Sequence, residues 1–150
     1  MKDKMNYRTH ASPVWREKAN ALVQAKLEDD SSSEQLWCRK LGDDKFEVCC
    51  IPFFLYDVAL GDIVLAPEFH LHKVVRPSGR FVFRAYLAED QREWRDSLQA
   101  QLEDIEAQAE WYSTGLVSID APNLEKAETI STWLSECEQH GFLTYETGKL

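Results

Sequence analysis

Residues 115–146 read GLVSIDAPNLEKAETISTWLSECEQHGFLTYE, and this stretch decides the fold class. Gly115 to Asp120 is a short apolar run with β-branched Val117 and Ile119, which predicts a strand. Pro122 breaks that strand, and Asn123 offers a side-chain acceptor to the first turn of a helix. Leu124, Ala127, Ile130, Leu134 and Cys137 then recur at spacings of three and four, with Trp133 beside them. That is one apolar stripe of an amphipathic helix running to His140. Gly141 suits the left-handed residue after a helix end, and Phe142 to Glu146 reads as a second strand.

Working upstream, Asp90 to about Glu110 contains no Gly or Pro and places Trp94, Leu98, Leu102, Ile105 and Ala109 on one face. The spacing predicts another amphipathic helix, with Asp90 as N-cap and Glu93 as its capping-box partner. Trp111 and Tyr112 follow as core anchors. Before residue 90 the period changes to two. Ala21, Val23, Ala25 and Leu27 share one face of a strand. Gln35–Leu41 and Phe46–Ile51 flank Gly42-Asp43-Asp44-Lys45, a hairpin pattern in which a four-residue turn sets Lys40 opposite Glu47 and Cys38 opposite Cys49. Ile63-Val64-Leu65 is a strand ended at Pro67, and residues 69–76 and 80–87 read as a second hairpin around Pro77-Ser78-Gly79. Asp29 to Ser33 reads as a loop, and residues 1–13 are expected to be flexible. The order implies one α+β domain over residues 1–150, with an antiparallel N-terminal sheet or half barrel followed by a β-α-β-α-β ferredoxin-like layer.

Several strings occur together: Trp15-Arg16-Glu17-Lys18-Ala19-Asn20, Glu34-Gln35-Leu36-Trp37, and Phe46-Glu47-Val48-Cys49-Cys50-Ile51-Pro52-Phe53-Phe54. Tyr56-Asp57, Leu60-Gly61-Asp62-Ile63-Val64, Ser78-Gly79, Glu110-Trp111 and Tyr145-Glu146-Thr147-Gly148 complete the set. From about residue 14 onward the chain resembles DUF4265, and the IPFF and LGD strings are the most specific part. The resemblance implies a bacterial domain and brings no activity, cofactor or catalytic residue with it.

The bulk properties narrow the compartment and the partners. Five Trp, five Tyr and seven Phe can fill a core. No apolar run approaches the roughly 18 residues of a membrane span, and the polar start MKDKMNYRTH lacks a secretory apolar run, so a cytoplasmic location is expected. Cys38, Cys49, Cys50 and Cys137 then read as reduced, partly buried thiols. The net charge of −9 resides entirely in residues 90–150, where 4 basic side chains face 13 acidic ones. Such a segment disfavours nucleic acid and anionic lipid and suits a basic protein.

No P-loop, G-x-G-x-x-G or G-x-S-x-G string occurs, and no catalytic residue, metal or cofactor is assigned. His70-x-His72 could share a strand face as metal ligands if Cys49 or Cys50 joined them. Cys49 or Cys50 with His70 or His72 and Asp57 or Asp62 supplies the residue types of nucleophilic catalysis, without a motif. Asp57 and Asp62, around Leu60-Gly61, read as turn formers. Arg76, Arg80 and Arg84, with His70 and His72, form a candidate anion patch on one side of the second hairpin. Glu93, Asp96, Glu103, Asp104, Glu106 and Glu110 are the partner-binding candidates on the first helix. The functional expectation is a non-enzymatic binding module of immunity or antitoxin type that covers a basic toxin with carboxylates. The alternative is a small-molecule or anion-binding regulatory domain that uses the arginines.

Overall fold

The computed structural model describes residues 6–28 and 31–150. Among them, ten strands and two α-helices form two sheets, so the α+β class holds. The first sheet contains β1 (Asn6–Arg8), β2 (Ala21–Lys26), β3 (Ser32–Gly42), β4 (Lys45–Val48), β5 (Ile63–Leu65) and β6 (Lys73–Arg76). The long β3 is its spine. β2 runs antiparallel along one edge, while β1, parallel, and β4, antiparallel, share the other. Val23, Ala25, Leu36, Cys38, Phe46, Val48 and Val64 make its core. The face read for β2 is confirmed at Val23 and Ala25, both wholly buried.

The β3–β4 hairpin forms, one residue out of the expected register. Cys38 lies opposite Val48 and Arg39 opposite Glu47, with a bulge before Gly42. Asp43 and Asp44 both adopt positive φ, 54° and 59°, so they are the two central residues of a primed turn. Aspartate tolerates that conformation better than most side chains, which is why two residues suffice where four were expected. The shift gives Glu47 to Arg39 at 3.1 Å instead of to Lys40.

The second sheet has the order β10-β7-β9-β8, antiparallel throughout, from β7 (Phe81–Tyr86), β8 (Ala109–Ser113), β9 (Leu116–Ala121) and β10 (Thr144–Lys149). α1 (Arg95–Asp104) connects β7 to β8, and α2 (Leu124–Gln139) connects β9 to β10. Leu98 and Leu102 of α1 and Ala127, Ile130 and Leu134 of α2 pack on Phe83, Ala85, Val117, Ile119 and Ala121. Asn123 caps α2 as expected, accepting the Lys126 N–H at 2.8 Å.

Three expectations are corrected. Residues 69–76 and 80–87 form no hairpin: β6 pairs with β5 in the first sheet and β7 with β9 and β10 in the second. β7 carries apolar residues that need the helices over them, whereas β6 is a largely exposed edge. Ser78 fixes the crossing by donating its N–H to buried Asp62 at 2.7 Å. The first helix is also shorter than Asp90 to Glu110. Glu89–Trp94 is a 3-10 turn, capped where Ala88 donates its N–H to the Gln91 side chain at 2.8 Å, so Asp90 is not the cap. Glu106, at φ 56°, ends the helical path, and Glu110 lies in a strand the sequence did not signal. Finally, residues 6–13 are tied down through β1 and the buried His10, and Ser32 and Ser33 belong to β3. The expectations for residues 1–5, Asp29 and Asp30 fall outside the described residues.

Between the sheets runs the segment from Cys49 to Asp62. It packs Ile51, Ala59 and Leu60 against Val82, on the side of β7 away from the helices.

Candidate functional site

The helical layer is the outer face of the second sheet, and it carries the acidic candidates. Glu93, Asp96, Glu103, Asp104 and Glu106 are exposed, as are Glu125, Glu128, Glu136 and Glu138 of α2. The cations of the same half of the chain are turned elsewhere. Lys126 donates to the Ile105 carbonyl, Lys149 reaches across to Asp62 at 2.7 Å, and Arg95 lies 4.5 Å from the centre of the Trp111 ring with one long contact to Asp96 at 3.7 Å. The carboxylates are therefore left largely uncompensated. Amid them Trp94, 38% exposed, lies tilted against Phe142 with ring centres 4.3 Å apart.

Glu110 does not join this surface. It is 3% exposed and points to the opposite side of the sheet, so its place among the partner-binding candidates is corrected. The arginine set is dispersed as well. Arg76 is exposed on β6, and Arg80 is paired with buried Asp120 at 2.5 Å and lies over Trp15. Arg84 is completely buried. His70 and His72 precede β6 instead of lying within a strand, and both are exposed, whereas Cys49 and Cys50 are buried. The five residues do not form one face, because the hairpin that would align them is absent.

What the structure assembles instead is a buried charge junction between the sheets. His10 donates one ring N–H to Glu34 of β3 and the other to Glu110 of β8, both at 2.7 Å. Its ring stacks on Phe53 at 4.3 Å. Glu34 also accepts the N–H groups of Phe53, Phe54 and Leu55, at 2.7, 3.0 and 3.0 Å. Glu110 accepts the N–H of Ile51 at 2.6 Å, and Ser118 donates to the Ile51 carbonyl at 2.9 Å. A neutral imidazole has one N–H, so two carboxylates on its two nitrogens call for the imidazolium. Burial opposes that charge, but Cys50 and the two carboxylates outweigh it and push His10 up to about 12. Burial likewise opposes the charge on Glu34, and His10 with the backbone N–H groups holds it below the usual carboxylate range.

Cys50 adjoins His10 and is wholly buried, and burial pushes its thiol up despite the imidazolium. At neutral pH it is a thiol, and the anions beside His10 are the two carboxylates. The trio of cysteine, histidine and glutamate has the residue types of a nucleophilic site in the wrong state. The ring has no lone pair to act as base, and the sulfur is shielded from solvent. The junction's evident action is to join the N-terminal segment, both sheets and the intervening segment at one point.

The family model described as a domain of unknown function, DUF4265, matches residues 34–145. The chain belongs to the DUF4265 family. A solved structure titled "Novel crystal structure of a hypothetical protein from Neisseria gonorrhoeae" is similar to it with a TM-score of 0.70 and 18% identity, covering 87% of this chain and 94% of that one. At that identity the likeness shows the fold alone. No curated protein matches the chain.

In this DUF4265 domain the span matched begins at Glu34, a junction residue, and includes Glu110, while His10 lies before it. Sequence reasoning missed all three roles. The one available signal was Glu110 between apolar Ala109 and Trp111, where a carboxylate needs a partner; Glu34, beside Ser32, Ser33 and Gln35, carries none.

Proposed function

We propose that this DUF4265 domain is a non-enzymatic protein-binding module acting in the cytoplasm, of immunity or antitoxin type, whose acidic helical layer covers a basic partner. One observation carries the reading: the exposed carboxylates of residues 93–106 and of α2 outnumber the cations near them, since Lys126 and Lys149 are used inward and Arg95 reaches only Asp96, at 3.7 Å. Such a surface steers a cationic protein and rejects anionic ones. Trp94 on Phe142 provides the kind of aromatic anchor on which binding energy concentrates. The unit from β7 to β10 is taken as a ferredoxin-like layer, supported by its β-α-β-β-α-β order.

The test is a quadruple reversal, Glu93→Lys, Asp96→Lys, Glu103→Lys and Asp104→Lys, compared with wild type in affinity capture and mass spectrometry. Wild type should retain one dominant basic protein that is released as salt rises, and the variant should lose it at an unchanged melting temperature. Retention of the same partner by both forms would remove the acidic layer from the account.

A second reading, an anion-binding regulatory domain, draws on Arg76 and Arg80, which line one depression of about 440 Å³ with Trp15 and Ser78. Glu47 shares that lining, which weakens its appeal for an anion. Neutralising Arg76 and Arg80 should abolish any phosphate-induced thermal shift if this reading holds.

A further inference from the structure

A cleft of about 540 Å³ opens where β1 and β2 meet β7 and β10, and its volume is in the range of small-molecule sites. Its walls include Arg8, Phe54, Tyr56, Tyr86 and Glu146. Directly behind the Tyr56 ring, 4.8 Å from its centre, lies the guanidinium of Arg84, with no exposed surface. One of its nitrogens donates to the Leu55 carbonyl, while Nε and Nη1 have no partner among the described residues. Unpaired buried donors on a full charge are rare in folded proteins and call for an explanation.

The natural counter-ion is present but committed elsewhere. Glu146 faces Arg84 directly across the β7–β10 ladder, yet its two oxygens accept the hydroxyls of Tyr56 and Tyr86. The backbone also makes room for the guanidinium. A Cβ on Gly148 would come within 2.4 Å of Arg84 Nη2, so glycine is the residue that fits there. Arg84 is thus held in a shaped seat, with two donors free and one aromatic ring between it and a cleft. That ring belongs to Tyr56, which is 47% exposed and has solvent to swing into.

We propose that this cleft binds a small molecule bearing a carboxylate or phosphate, and that one of its oxygens takes the free Nη1 of Arg84 when Tyr56 swings aside. A guanidinium N–H gives a carboxylate or phosphate oxygen a short charge-assisted hydrogen bond. Arg8 supplies further positive charge at the wall, and Phe54 and Tyr86 supply flat surface for the rest of the ligand. Asp57 and Glu28 also line the cleft, which places the anionic end at the Arg84 side and leaves their side for a neutral or cationic group. Tyr56 is a gate, and its bond to Glu146 is the latch. The proposal is independent of the acidic helical layer, which lies on the other face of the sheet.

The probes are inorganic phosphate and benzoate, followed by the Arg84 Nε–H signal in NMR and by calorimetry. Binding should shift that signal with either probe. A stronger response to benzoate marks a flat carboxylate ligand, and a stronger one to phosphate marks a phosphorylated ligand. Tyr56→Ala removes the gate and should tighten binding by about fivefold or more, since the competent state is no longer the minor one. Arg8→Ala should weaken it severalfold. Arg84→Gln should abolish it, and should that variant fail to fold, the NMR signal and Tyr56→Ala still decide. The proposal is overturned if neither probe moves the Arg84 signal in wild type or in Tyr56→Ala, or if a folded Arg84→Gln binds like wild type.

Discussion

The two faces of the β7–β10 sheet are both buried, and they are buried in opposite ways. One face meets α1 and α2 through Phe83, Ala85, Val117, Ile119 and Ala121, all apolar. The other presents Arg84, Glu110, Ser118 and Asp120, none more than 3% exposed. The first is held by area removed from water, which is non-directional and tolerant of detail. The second is held by directed bonds to His10, Arg80 and the backbone of the segment after Cys49. Beyond the small cluster of Val82 with Ile51, Ala59 and Leu60, it depends on every polar partner being in place. The comparison teaches that a sheet can use its polar face as a joint while its apolar face builds the core.

The contrast can be broken by cutting each face in turn. His10→Ala strands two carboxylates without their shared cation, and removing one member of such a buried set costs about 3–5 kcal/mol. On the helical side Leu134→Ala should cost about 2–5 kcal/mol through lost transfer and a residual cavity. Urea unfolding reads both, and an effect of His10→Ala below about 1 kcal/mol would demote the junction to a surface-like contact.

The faces should also differ in pH response. His10 is raised from 6.5 to about 12, so its contribution is fully present below 6.5 and is lost as pH rises through about 12. Glu34 is lowered from 4.5, so its contribution is present above 4.5 and is lost as pH falls through its folded value. The junction is strongest between 4.5 and 6.5. The urea midpoint of wild type should decline on both sides of that window, and His10→Ala should flatten both limbs. Leu134→Ala should retain them. The smallest effect belongs to the acidic layer: Asp96→Asn, at a fully solvated carboxylate, should change stability by no more than about 0.5 kcal/mol.

The apolar face was legible because it repeats. The stripe from Ala127 to Cys137 and the Asn123 cap fix α2, although Leu124, read as its first member, is 62% exposed; the alternation in β7 and β9 fixes which residues face the helices. The same alternation misled at the other face. Ser118, Asp120, Arg84 and Glu110 look like solvent residues on a two-period pattern, because alternation separates apolar from polar and not buried from exposed. All six residues of β9 are buried. The partners that make this possible are remote in sequence: His10 is 100 residues from Glu110 and 24 from Glu34. No local pattern encodes such a pairing. The false hairpin at Pro77-Ser78-Gly79 failed for a related reason, since a turn-forming tripeptide marks a change of direction without saying whether the chain returns to the same sheet. The acidic layer could be read because charge bias survives any error in register, yet Glu110 was misassigned to it once the helix was extended six residues past Asp104.

The central claim is that the polar face is a charged joint built on a buried imidazolium, which leaves the helical layer as the face open to partners. Long-range proton–nitrogen NMR of the His10 ring at pH 8, with His10→Gln to assign the signals, tests it most directly. Two protonated ring nitrogens, protected from exchange and unchanged up to pH 9, are the expected result. A ring with one bare nitrogen at pH 8 would contradict the account, because one of the two carboxylates would then lack its donor and the joint would not exist as described.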